Sequence, residues 1–448
     1  MERVQDKSMI PRFRVAPHNA FQLIYGAAHG AKSLIWHASE FLFAFFLTEA
    51  AGLAPAYTGV ILGLSLGLNA LMDLAVGWSL RRLVRDSTGA ARLQLTGAWI
   101  SALMLVVFAM TGQMPAGLRL GFALASLVAF RLAYPFYDNP QNALMTFATQ
   151  DDGGRARLAS ARYVAGGGAK LSLALAFAPM MVGQSALAQS HRFALLCVVM
   201  GLLAIITAVG LRAFVRRRPD IKVRGGQWRK DRPSSRLKPV PSLAALLAIA
   251  FTLAVSASMF GRLEPYIAAF AIRQVAAASL MMSAATLGSL LSQFVWARLA
   301  QRMGLTEMLR AALAIVVTGA GLLFFLTPDS LAWAAAACAL YGIGSGGVAM
   351  TLWSLLAGRA ASPTARIRGT AAFGLYTCCS KLGLAVAAIG MGRVLAEVDY
   401  RDQIMAMGPL FATMASAPIA GALVIGLLTV VVGQGERALT PSRSAGLG

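Results

Sequence analysis

Ten ionisable side chains interrupt stretches of sequence that are otherwise apolar: Lys32, Glu40, Asp73, Arg131, Asp138, Arg162, Lys170, Arg262, Glu264 and Lys381. A charge placed in hydrocarbon costs about 2.5–3.5 kcal/mol even on the most lenient insertion scale, so each one needs a partner or a watery cavity. The chemistry open to them is ionic. Asp73 and Asp138 could take up a proton or Na⁺, and a lysine could replace that ion when it leaves. A plainer reading has the two carboxylates form salt bridges with Lys381, Arg162 or Arg131 that hold the chain together, although buried pairs stabilise little and are often kept for a switch or a register. No nucleophile with its base, metal-ligand cluster or phosphate-cradling loop is present, so enzyme chemistry and a cofactor are not expected.

Spacing sorts these residues onto faces. His29, Lys32, Ser33, Trp36, His37 and Glu40 recur at three- and four-residue intervals and so share one side of a helix. Arg131, Tyr134, Asp138, Gln141 and Asn142 do the same, with Pro135 and Pro140 expected to break that helix and free backbone carbonyls beside Asp138 for a cation or for water. Arg262 and Glu264 are expected to pair locally next to a break at Pro265. His29 and His37 are candidates for proton relay, the simpler alternative being hydrogen-bonded histidines on a polar face.

The elements that must hold these faces are membrane spans. Of 448 residues, 58% are apolar and 13% charged, and the four cysteines, Cys197, Cys338, Cys378 and Cys379, all lie in apolar stretches without metal-type spacing. The mean hydropathy of +0.66 exceeds what a soluble core can hide. The pattern predicts an all-α polytopic membrane protein with twelve spans: 20–49, 57–80, 94–112, 120–149, 160–182, 193–211, 242–270, 276–297, 311–326, 332–358, 369–392 and 404–433. A basic, proline-bearing stretch divides six spans from six. The expected organisation is a tail (1–19), a six-helix bundle (20–211), a linker (212–241), a second bundle (242–433) and a second tail (434–448).

Alternate loops carry 29 and 5 Lys plus Arg, which predicts that both termini are cytoplasmic, in a bacterial inner membrane. That asymmetry also explains the net charge of +22 as topology, with some affinity for anionic lipid and no nucleic-acid partner. No removable signal peptide is visible at the N-terminus. Gly59, Gly63 and Gly67, and the run Tyr341–Gly347, fit close helix contact.

Several stretches carry a resemblance. IYGAAHGAKSLIW from Ile24, NALMDLAVG at Asn69–Gly77, YDNPQNALMTFATQDDGGRARLASARY at Tyr137–Tyr163 and GLYTCCSKLGLAVA at Gly374–Ala387 resemble, in order, the glycoside-pentoside-hexuronide:cation symporters of the major facilitator superfamily. The resemblance implies two pseudo-symmetric six-helix bundles and cation-coupled symport of a small organic solute by alternating access. It implies that Asp73 and Asp138, with Asn69 where the family has an acid, bind the coupling ion, H⁺ or Na⁺. Lys381 and Arg162 would couple, and Lys32, Ser33, Trp36, Tyr134 and Asn142 would face substrate. Departures matter as well: Leu74 replaces a proline, Ser33 an acid and Asn142 a sugar-stacking aromatic, which argues against a galactoside-like solute. The rivals are a carrier of lysolipid or another amphipathic molecule, and a scaffold that kept the fold but lost transport. A monomer is favoured.

Overall fold

A computed structural model describes residues 17–83, 86–148, 152–217, 242–272, 275–325, 331–361 and 370–438. Among the described residues there is no strand, and the helices form twelve rods. They are α1 (17–50), α2 (Pro55–Leu83), α3 (Ser87–Ala109, extended by a 3₁₀ turn to Gln113), α4 (Ala116–Ala148), α5 (Asp152–Met181) and α6 (Ala186–Arg217). After the break come α7 (243–272), α8 (Val275–Leu299), α9 (305–325), α10 (Leu331–Ala361), α11 (Thr370–Glu397) and α12 (403–438). The rods overrun the hydropathy spans at most ends, because hydropathy reads only the part in hydrocarbon while the helix continues through polar turns. Thus α6 runs to Arg217 and takes in Arg212, Arg216 and Arg217, while the remaining linker expected at 218–241 lies outside the described residues.

Eleven of the rods are long and apolar enough to cross a membrane, counted on the described residues. The exception is α1, whose polar face lowers its hydropathy. It is also interrupted by two π-turns, Ala38–Leu42 and Phe46–Ala50, the first of which carries Glu40. Similar π-turns close α7 at Ile267–Ile272 and open α12 at Ala406–Leu410. Such insertions cluster at functional positions because they re-aim side chains without ending a helix.

Local signals set other ends. The Asp86 carboxylate accepts the Gly89 N–H at 2.7 Å and caps α3, and Ser242 caps α7 by accepting from the Ala245 N–H. Gly52 and Gly183, at φ +66° and +68°, take the left-handed conformation that ends a rod cheaply only at glycine.

Packing repeats with a shift of six rods. In the first half α3 packs on α4 and α6, α1 on α5 and α6, and α2 on α4; in the second, α9 packs on α10 and α12, α7 on α11 and α12, and α8 on α10. The halves meet through α2 against α11 and α5 against α8, which the same shift interchanges. At the first crossing a Cβ on Gly59 would lie 2.8 Å from the Gly392 Cα, so only glycine allows that approach. Gly63 likewise meets Ile389, whereas nothing lies within 4 Å of a Cβ on Gly67.

Two sequence expectations are corrected. Helix α4 is continuous through Pro135 and Pro140, and α7 through Pro265. At Pro135 a neighbouring rod re-satisfies what proline frees, Asn69 Nδ2 donating to the Arg131 carbonyl at 3.3 Å, while the Phe136 backbone, ahead of Pro140, packs closely on Gly97 of α3. The carbonyl released by Pro135 is therefore taken by an amide. Arg262 and Glu264 do not pair either, since residues two apart on a helix point to different sides. Arg262 is within electrostatic reach of Glu40 on α1, while Glu264 faces Lys170 on α5 and Tyr341 on α10.

Candidate functional site

The intramembrane charges gather in the space between the halves. On the first-half side, Lys32 Nζ of α1 donates to Asp138 Oδ1 at 2.5 Å and to Asn142 Oδ1 at 3.3 Å, while Asn142 Nδ2 donates to the same Asp138 oxygen at 3.1 Å. The triad spans α1 and α4. Its two charges are unequally placed, the Lys32 side chain being 3% exposed and that of Asp138 22%. Arg162 of α5 lies behind, its Nη1 at 3.8 Å from Met145 Sδ, and acts on Asp138 through space. Ser33 packs against Gly166 of α5.

The second cluster joins the halves. Lys381 Nζ of α11 donates to Asp73 Oδ2 and, at 2.7 Å, to Asn69 Oδ1, both on α2. All three are buried or nearly so, and the second Asp73 oxygen has no hydrogen-bond partner. Two oxygens from α2 thus converge on one cationic position, now filled by the lysine ammonium. Stripping one member from such a buried pair costs about 3–5 kcal/mol, which holds the halves in this arrangement unless another cation takes the place of Lys381.

Trp36 forms the floor between the two clusters. Its ring stacks on Tyr134 at 5.8 Å, and Lys381 Nζ lies 4.9 Å and the Arg131 guanidinium 5.8 Å from its centroid. Further along α1, His37 Nδ1 and Glu40 Oε2 are 3.0 Å apart and keep 22% and 28% side-chain exposure.

Beyond Glu40 the structure is sealed. Phe45, Tyr266, Phe270 and Tyr400 stack or meet edge-on with centroids 5.2–6.2 Å apart, joining α1, α7 and the α11–α12 turn. Thr48 and Tyr266 share a 2.9 Å hydroxyl contact. Tyr400 donates to Glu49 Oε1 at 2.7 Å, and Arg401 adds two bonds to the same carboxylate at 3.1 and 3.2 Å. Outside this layer a cleft of about 450 Å³ lies between the α5–α6 turn and Arg401. His37 and Glu40, on the other side of this layer from the cleft, keep their partial exposure.

The sequence-predicted residues therefore fall into two bonded sets, Lys32 with Asp138 and Asn142, and Lys381 with Asp73 and Asn69, with Trp36 and Tyr134 beside them. Arg162 and Ser33 stand behind this surface. Sequence reasoning missed the Glu49–Tyr400–Arg401 latch. Its only signal was a carboxylate at the end of the first span and an arginine in the last short loop.

The chain matches the family model described as MFS/sugar transport protein over residues 24–433. A comparison with curated proteins returned no match. Among solved structures, a mutant of the nucleoside transporter NupG superposes with a TM-score of 0.65 at 13% identity, covering 91% of this chain and 99% of that one. A bacterial homologue of the human lysosomal transporter Spinster, inward-facing and occupied, gives 0.60 at 16% identity, covering 94% and 96%. A bacterial homologue of the iron transporter ferroportin, inward-facing, gives 0.61 at 14% identity, covering 93% and 98%. At such identities the likeness is one of fold. Together with the family match and the crossing helices, it places this chain in the MFS/sugar transport protein family, as a multi-pass membrane transporter of the major facilitator type.

Proposed function

We propose that the chain carries a small organic solute in symport with a cation, H⁺ or Na⁺, by rocking its two halves about the central site. One observation carries this reading: Lys381 of the second half sits on Asp73 and Asn69 of the first. An ion arriving at Asp73 neutralises the carboxylate and releases the lysine, so that ion binding and the contact between halves are one equilibrium. For useful coupling the ion must favour the solute-binding arrangement by about 1–3 kcal/mol. The sealed aromatic layer is the closed gate of one state. With the termini cytoplasmic, as the basic-loop asymmetry supports, that state opens inward, in a bacterial inner membrane.

The test is uptake by proteoliposomes across a panel of sugars, nucleosides, organic acids and lysolipids, with and without imposed proton and sodium gradients. At least one solute should accumulate only when a gradient is imposed. Background flux for every solute under every gradient would favour a scaffold instead.

A further inference from the structure

Two guanidinium groups stand out because, among the described residues, nothing completes them. Arg131 of α4 and Arg262 of α7 are 0% and 1% exposed. No nitrogen of the Arg131 guanidinium has a hydrogen-bond partner, and neither has either terminal nitrogen of Arg262, whose Nε donates to Ser258 Oγ at 2.8 Å. They come from opposite halves and lie close enough to repel each other.

The neighbouring charges do not balance them. Lys32 is matched by Asp138, Lys381 by Asp73 and Arg401 by Glu49. Asp73 acts on Arg131 through space while bonded to Lys381, and Glu40 is in reach of both arginines but already bonded to His37. One carboxylate cannot satisfy two five-donor forks. Glu264 faces away, toward Lys170 and Tyr341. Aromatic faces do part of the work for Arg131, which is 5.4 Å from the Phe130 centroid and 5.8 Å from that of Trp36, but a ring face is a far weaker acceptor than an oxyanion.

Their position is the second observation. Arg262 lies one turn before Tyr266 of the sealed layer on α7, and Arg131 lies beside Trp36, whose ring stacks on Tyr134. A planar or tetrahedral oxyanion seated there would accept bidentate bonds from both halves at once. We propose that Arg131 and Arg262 form an anion-recognition element of the transport site, so that the carried solute bears a carboxylate or a phosphate. This rests on the transporter reading and narrows its substrate class. It also fits symport: an anion on the arginines and a cation at Asp73 enter together with little change in net charge.

The full chain in lipid nanodiscs would be titrated with three matched series: glucose, glucuronate and glucose 6-phosphate; glycerol, glycerate and glycerol 3-phosphate; uridine and uridine 5′-phosphate. Binding is read by titration calorimetry and thermal shift, and flux separately in proteoliposomes. Anionic members of at least one series should bind at least about tenfold more tightly than their neutral parent, and the bound group, carboxylate or phosphate, identifies the class. Arg131→Gln and Arg262→Gln should each remove that preference. The Lys variants, which keep the charge but lose the fork, should fall between and serve where a Gln variant does not purify as a monodisperse species.

Equal binding of neutral parents, unaltered anion binding in the Gln variants, or no anion binding at all would overturn the proposal. Anion binding without flux would keep the arginines as an anion site while refuting the transporter reading, and with it the claim about the carried solute. Flux of neutral solutes with no anion binding would do the reverse.

Discussion

The unequal burial of Lys32 and Asp138 makes the two ends of one salt bridge distinguishable. Replacing Asp138 by Asn leaves a lysine ammonium that is 3% exposed, with only neutral amide oxygens, Asn142 Oδ1 at 3.3 Å and that of the introduced amide, to receive its protons. The expected cost is that of an uncompensated buried charge, about 3–5 kcal/mol. Replacing Lys32 by Met leaves a carboxylate that is 22% exposed and still accepts from Asn142 Nδ2 at 3.1 Å. Water reaches it, and the cost falls to about 1–2 kcal/mol. The double variant Lys32→Met/Asp138→Asn removes both charges and should return to within about 1 kcal/mol of the parent. The two sites are then coupled by at least about 2 kcal/mol, well above the scatter between independent positions. All four proteins would be unfolded by heat and by denaturant in nanodiscs of one lipid composition at one scan rate, which keeps the ranking valid even when unfolding is irreversible. The reasoning fails if Lys32→Met is as costly as Asp138→Asn, or if the double variant shows the sum of the single losses.

Other perturbations address the gate and the crossing. Glu49→Gln removes the charge that both Tyr400 and Arg401 hold, so a cysteine placed at Phe270 should react at least about fivefold faster with an impermeant thiol reagent, a shift of about 1 kcal/mol toward the open layer. An unchanged rate would remove the latch from the mechanism. Gly59→Leu forces α2 away from Gly392 and Ala388 and should cost about 1–3 kcal/mol in thermal stability, while Gly67→Ala, with nothing within 4 Å, should stay within about 0.5 kcal/mol of the parent. Equal effects at the two glycines would mean that α2 and α11 do not cross as described.

The spans and the polar face of α1 were legible because hydrophobic runs and helical periodicity are local properties of the chain. The family resemblance singled out Lys381, Asp73 and Asp138 without saying which carboxylate the lysine takes. Pairing across long separations was not legible: periodicity places Lys32 and Asp138 on facing sides, but 106 residues lie between them and nothing local says which base each acid takes. The misreading of Arg262 with Glu264 was avoidable, since an interval of two puts side chains about 200° apart around a helix. The prolines of α4 marked a freed carbonyl correctly, yet the residue that fills it, Asn69, comes from another rod. The π-turns of α1 carry no proline or glycine signal; the first packs against α7 and the second against α6, contacts that no local pattern announces. The unpartnered arginines looked like ordinary members of a charge list until their surroundings were known.

The claim that a cation and Lys381 compete for Asp73 is tested most directly in proteoliposomes that contain a transported solute, by comparing gradient-driven uptake with solute exchange at equal ion concentration in the parent and in Asp73→Asn. The substitution should abolish stimulation by the proton or sodium gradient while exchange continues, because the lysine is freed without an ion. Stimulation that survives Asp73→Asn at the parent level would place the coupling site elsewhere.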